Sequence, residues 1–103
     1  MKNLEKLART YRLPQTTTPE ELETRFFTSS ATFLTFGDKT LMAGYFWNGP
    51  KNPCWYGAVF TFTTADRSCE GEIRLTAVSE ELFHDNGSAI QWALTHYGGG
   101  DDG

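Results

Sequence analysis

Residues 30–78 read SATFLTFGDKTLMAGYFWNGPKNPCWYGAVFTFTTADRSCEGEIRLTAV, and this stretch decides the fold. Apolar and polar residues alternate with a period of two, and Thr, Phe, Tyr, Val and Ile dominate. Turn residues fall at Gly37-Asp38, at Asn48 to Pro53 and at Ala65 to Ser68. Branched and aromatic side chains suit a pleated surface, and Gly, Pro, Asn and Asp supply turn geometry. The stretch therefore predicts a four-stranded antiparallel meander.

Working outward, Leu4, Leu7, Ala8 and Tyr11 recur at helical spacing and predict an amphipathic helix that Pro14 ends. Thr18-Pro19-Glu20-Glu21 then supplies an N-cap, a proline in the first turn and a capping-box glutamate, with Leu22 and Phe26 as the buried stripe of a second helix. Beyond the sheet, Ser79 is expected to cap a short helical turn through Phe83, closed at Asn86-Gly87. Ser88 with Gln91 reads as another capping box, opening a last helix whose face is Ile90, Ala93, Leu94 and Tyr97 and which stops at Gly98. The expected fold class is α+β: a four-stranded antiparallel meander packed on one face by two N-terminal helices and one C-terminal helix. Residues 1–97 form a single domain, and 98–103 form a flexible Gly/Asp tail.

The length of 103 residues leaves room for one core, and 39% apolar with 21% charged residues is a globular composition. No apolar run approaches the roughly 18 residues of a membrane span. The opening MKNLEKLARTY has a signal peptide's charge without its apolar stretch, so a cytoplasmic protein with no membrane partner is expected. A net charge of −4 argues against direct nucleic-acid binding, which needs clustered positive charge. That sum hides a gradient. Residues 1–12 carry Lys2, Lys6, Arg9 and Arg12 against Glu5, whereas residues 66–103 carry eight acids against Arg67 and Arg74. Two solvated faces of opposite sign explain the gradient; an acidic surface that docks on a basic partner explains it as well.

If tight turns set the pairing, Phe36 lies near Lys39, Trp47 near Cys54 and Thr64 near Cys69. Strict alternation then places Leu34, Phe36, Leu41, Ala43, Tyr45, Trp47, Tyr56, Ala58, Phe60, Phe62, Ile73 and Leu75 on one face, beneath the helices. The other face collects Phe33, Met42, Phe46, Trp55 and Val59, followed by Glu70, Glu72 and Arg74. An exposed face so rich in Phe, Trp and Met marks an interaction surface. A first helix folded over this face would leave no such surface, and a one-residue shift in any turn would exchange the two faces.

The link Asn48-Gly49-Pro50-Lys51-Asn52-Pro53 is flanked by Tyr45-Phe46-Trp47 and Trp55-Tyr56. Rigid rings beside a Gly/Pro loop suit a sugar, a base or a peptide, and an ordinary hairpin loop between core aromatics accounts for the same residues.

Catalytic chemistry finds little support. A nucleophilic Cys54 served by His84 or His96 would need a helix N-terminus or a neighbouring cation, and Cys54 opens a predicted strand instead. Cys54, Cys69, His84 and His96 lack the close pairs that structural zinc sites use, so no metal is expected, and no glycine-rich phosphate loop precedes a helix. The two cysteines fall at far ends of a hairpin and are expected to be free thiols. Asn86-Gly87-Ser88 matches a glycosylation sequon but reads better as a turn in a cytosolic chain.

The reading that results is a small, acidic, non-catalytic binding module without cofactor. By analogy it is a stoichiometric inhibitor of a nucleic-acid-handling protein, of the anti-CRISPR or toxin-immunity type. Glu70, Glu72, Glu80, Glu81 and Asp85 would steer it to a basic protein surface, and Phe33, Met42, Phe46, Trp55 and Val59 would anchor it. The alternatives are a subunit that homodimerises through the aromatic face and a small enzyme using Cys54.

Overall fold

The computed structural model describes residues 2–27 and 31–96. Its elements are α1 (Lys2–Tyr11), β1 (Thr16–Thr17), α2 (Pro19–Arg25), β2 (Thr32–Phe36), β3 (Lys39–Tyr45), β4 (Trp55–Phe62), β5 (Ile73–Val78) and α3 (Asn86–His96). The protein is a mixed α+β domain with one antiparallel sheet and, among the described residues, three helices. The predicted Tyr97 contact and the tail 98–103 lie outside the described residues.

The helix signals act as their chemistry requires. Leu4, Leu7, Ala8 and Tyr11 form the inward stripe of α1. The helix stops before Pro14 is reached, because Arg12 turns left-handed at φ 59°. Arg12 N–H then bonds to the Arg9 carbonyl at 3.3 Å and Leu13 N–H to the Ala8 carbonyl at 2.8 Å, the paired closure of a Schellman end. Thr18 caps α2 as expected, its hydroxyl accepting from the Glu21 amide at 3.1 Å with Pro19 in the first turn.

The sheet has five strands, not four, in the order β1-β5-β4-β3-β2. The extra strand is Thr16–Thr17, which pairs with Ile73 and Arg74. Two residues are too few to display a period, so only the tertiary fold reveals it. Gly37-Asp38 makes the predicted two-residue turn with Phe36 opposite Lys39. Gly37 has φ 59° at the first central position, where a type II′ turn needs it.

The β3–β4 link departs from expectation. Phe46, not Trp47, closes the pair with Cys54 through a 2.7 Å hydrogen bond, and Leu41 lies opposite Val59. That single-residue change moves all of β2 and β3 across the sheet relative to β4 and β5. Met42 thus joins Tyr56, Ala58, Phe60, Phe62, Ile73 and Leu75 in one cluster, packed beneath Ala8 and Tyr11 of α1 and Leu22 of α2. Leu41 joins Val59 on the opposite face beneath Ala93 of α3. Helices therefore cover both faces, in place of the expected single helical layer. From Phe62 opposite Ile73 to Phe60 opposite Leu75 the β4–β5 register differs from expectation by two residues, so the faces of Ile73, Arg74 and Leu75 stand as read. A bulge at Val59/Phe60 then shifts the pairing by one, setting Ala58 opposite Val78.

Two features after β5 also differ. Ser79 caps no helical turn; it is buried, accepting from the Gly57 amide at 3.0 Å and donating to the Glu81 carbonyl at 2.9 Å. The following residues return along β4, where Phe83 pairs with Trp55. The cap of α3 is Asp85, not Ser88, since the Asp85 carboxylate accepts from the Ser88 amide at 2.7 Å. The helix then lies close over Gly57, where a Cβ would come within 2.6 Å of the Ala89 carbonyl.

Candidate functional site

The register of β3 and β4 decides which aromatic rings are wet. Of the five residues expected to form an exposed apolar face, Met42 and Val59 are buried and lie on opposite sides of the sheet. Phe33 and Phe46 are half-buried with Met42 on the α1 face. Phe46 stands edge-on to Tyr11, their centroids 5.0 Å apart. Trp55 is half-buried on the other side. The contiguous patch is therefore absent as drawn, because α1 covers one half of it and α3 covers Val59.

A different aromatic group emerges where β3 leaves the sheet. Tyr45 is 43% exposed and meets Trp55 edge-on at 5.3 Å, and Trp47, just beyond the strand, is 62% exposed. Sequence alternation assigned Tyr45 and Trp47 to the core, although the rings around Asn48 to Pro53 carried the signal that finds them.

The loop behind these rings is held by its own side chains. Asn48 Nδ2 donates to the Pro53 carbonyl at 3.2 Å, and Asn52 Nδ2 donates to the Asn48 carbonyl at 2.8 Å. Gly49 at φ 104° and Lys51 at φ 67° take the left-handed conformations the reversal needs. The Phe83 carbonyl accepts from both Cys54 and Trp55 amides, at 3.0 and 2.9 Å, which ties the start of β4 to the chain entering α3. Rings carried on so constrained a backbone lose little freedom on contact, which favours binding.

The acidic residues divide between the two ends of β4. Glu80, Glu81 and Asp85 are exposed on the segment between β5 and α3, at the Trp55 end. Glu70 and Glu72 are exposed in the β4–β5 connection, at the Phe62 end, roughly 23 Å away at about 3.3 Å per residue. Only the first three share an end with Tyr45, Trp47 and Trp55. The Asp85 carboxyl titrates below its ordinary range, chiefly because the Ser88 amide bonds to it and then because of the Ser88 side chain. The Tyr45 hydroxyl is held above its ordinary range by partial desolvation first and by the neighbouring Cys54 thiol second.

Cys54 is buried, with its thiol donating to the Asn52 carbonyl at 3.2 Å. Cys69 is exposed beyond the other end of β4, and both are free thiols. His96 stacks on Trp92 at 4.3 Å. Among the described residues no three metal-ligating side chains gather, and no helix is long and apolar enough to cross a membrane.

A family model described as nucleotide modification associated domain 4 matches residues 13–97. The chain belongs to this family. No curated protein and no solved structure matches it. The nucleotide modification associated domain 4 region takes in α2, the whole sheet and α3, and so includes the Tyr45-Trp47-Trp55 group and the acids beside it. Helix α1, which covers Phe46 and Tyr56, precedes the matched residues.

Proposed function

We propose that this nucleotide modification associated domain is a non-catalytic binding module that docks on a nucleic-acid-handling protein and occupies its basic surface as a stoichiometric inhibitor. The observation that carries the reading is the pairing of wet aromatic anchors with carboxylates at one end of the sheet. Tyr45 stands exposed against Trp55 and Trp47 stands exposed two residues on, with Glu80, Glu81 and Asp85 on the segment that adjoins Trp55. Trp and Tyr dominate the energetics of protein interfaces, and carboxylates beside them steer encounter with a positive patch. Proteins that act on nucleic acid carry such patches because they must neutralise phosphates. The family description, which ties the domain to nucleotide modification, is consistent with a partner that handles nucleic acid, and the net charge of −4 supports docking on a basic surface. A cytoplasmic site of action follows from this reading, since such partners work there.

The test is affinity capture with three baits: wild type, Tyr45→Ala/Trp47→Ala, and Glu80→Lys/Glu81→Lys. The expected result is a basic nucleic-acid-binding protein retained by the wild type, lost by the aromatic variant and weakened by the charge variant, with all three baits equally folded by circular dichroism. Addition of the purified partner at increasing ratios should then saturate at a fixed stoichiometry and suppress its activity. Equal capture by all three baits overturns the reading. So does quenching of tryptophan fluorescence by a mononucleotide, which assigns the rings to base stacking instead.

A further inference from the structure

We propose that a second copy of this chain adds to the outer edge of β2, joining two sheets into one across a two-fold axis at Leu34. The hydrogen-bond parity of the sheet fixes which groups that edge offers. Phe46 bonds to Cys54 across the β3–β4 pair, so alternate residues Gly44, Met42 and Thr40 also bond to β4, and Leu41 and Ala43 bond to β2. Their partners are Leu34 and Thr32. The amides and carbonyls of Phe33 and Thr35 therefore point away from β3, and among the described residues no strand pairs with that edge.

Monomeric proteins guard such an edge with lysine, proline or a bulge. Thr32-Phe33-Leu34-Thr35-Phe36 has none of these and no charge. Antiparallel pairing about Leu34 sets Phe33 against Thr35 of the second copy and Thr35 against its Phe33, four backbone hydrogen bonds in all. Leu34 then meets its own copy in the non-hydrogen-bonded position, where side chains come closest. The match brings no like charges together near the axis, although the chain as a whole is negative. A partner selected for positive charge gains nothing at this neutral edge, which is why the second copy fits it best.

Packing beside the strand points the same way. Asn86 Nδ2 donates to the Thr32 hydroxyl at 3.2 Å, which turns the helical stripe Asn86, Ile90, Leu94 toward β2. Leu34 is 41% exposed and Leu94 39%. Both lie on the α3 side of the sheet, so the axis would bury an apolar strip along with the strand edges. An isologous contact of this kind closes after two copies and leaves the Tyr45 and Trp47 ends free.

Light scattering after size exclusion tests the proposal on the full chain. The wild type should run at the mass of two chains and Leu34→Glu at the mass of one, with its circular dichroism spectrum unchanged. In a Cys69→Ser background, Leu34→Cys should cross-link on mild oxidation. Thr35→Cys should not, because its own copy then lies two residues off axis, beyond the roughly 7 Å reach of a disulfide. A wild type that stays monomeric at all concentrations overturns the proposal, as does a dimer that survives Leu34→Glu. Neither result touches the aromatic end, and loss of partner capture in Tyr45→Ala/Trp47→Ala leaves the dimer intact, so the two proposals fail separately.

Discussion

The Tyr11 ring lies flat against the Tyr56 ring, their centroids 4.3 Å apart and their planes 5° from parallel. Through this contact α1 reaches the centre of the sheet, for Tyr56 is among the largest fully buried side chains of the core. The burial leaves the Tyr56 hydroxyl without a hydrogen-bond partner among the described residues.

An orphaned buried hydroxyl costs more than an absent one. Tyr56→Phe should therefore stabilise the protein by about 1 kcal/mol in urea denaturation, and a loss of stability would show that the hydroxyl is satisfied. Burial disfavours the phenolate and holds the Tyr56 and Tyr11 hydroxyls above the usual phenol value of 10.0, with the neighbouring Tyr11 adding to the effect at Tyr56. The unfolded phenols lose their protons first as pH climbs, so the native state holds more protons and stability falls above about pH 10. Tyr56→Phe should flatten that alkaline slope.

Gly57 is where α3 touches the sheet. A Cβ there would come within 2.6 Å of the Ala89 carbonyl and 2.8 Å of the Trp92 ring. Gly57→Ala must push the helix outward, at a cost of roughly 1–3 kcal/mol. Tryptophan emission should shift to the red as Trp92 is unpacked, and an unchanged spectrum with full stability would contradict the close docking.

Trp47 and Phe60 should respond in opposite ways. Phe60 is fully buried, so Phe60→Ala should cost about 3–5 kcal/mol. Trp47 is mostly in water, so Trp47→Ala should change stability by no more than about 0.5 kcal/mol while lowering partner affinity. Chemical denaturation alongside a binding titration separates the two quantities.

Asp85 ties α3 to its first turn, and its carboxyl titrates below the usual value of 3.8 because the Ser88 groups bond to the ionised form. A depressed acid contributes stability that is present above its unfolded value and disappears as pH falls through its folded value. Thermal unfolding midpoints should therefore drop below about pH 4, and Asp85→Ala should lower the midpoint at neutral pH while weakening that part of the acid dependence. An acid profile identical to that of the wild type would assign the cap elsewhere.

Much of this architecture is written in local residues. Thr18, Pro19 and Glu21 announce α2, and Gly37-Asp38 announces the β2–β3 hairpin, because caps and two-residue turns are satisfied by atoms a few positions away. The free thiols Cys54 and Cys69 also follow from their places at opposite ends of β4, one just before it and one in the connection beyond it. Of the candidate site, the acids Glu80, Glu81 and Asp85 and the ring of Trp55 were legible. Tyr45 and Trp47 were visible as flanking aromatics but were assigned to the wrong side of the sheet.

Residue chemistry alone determined the class of fold, the strand stretches from Thr32 to Val78, the helices on either side and the acidic balance. Only the folded chain decided the pairing across Asn48 to Pro53, and with it which rings are dry and which are wet. The reason is geometric: a strand's side chains alternate, so one residue more or less in a link exchanges both faces. The link between the closing pair is the seven residues Trp47 to Pro53 where six were expected, and nothing in its Gly, Pro and Asn content selects one length over the other. The choice fell to long-range packing, where Met42 fits beneath α1 and Leu41 beneath α3.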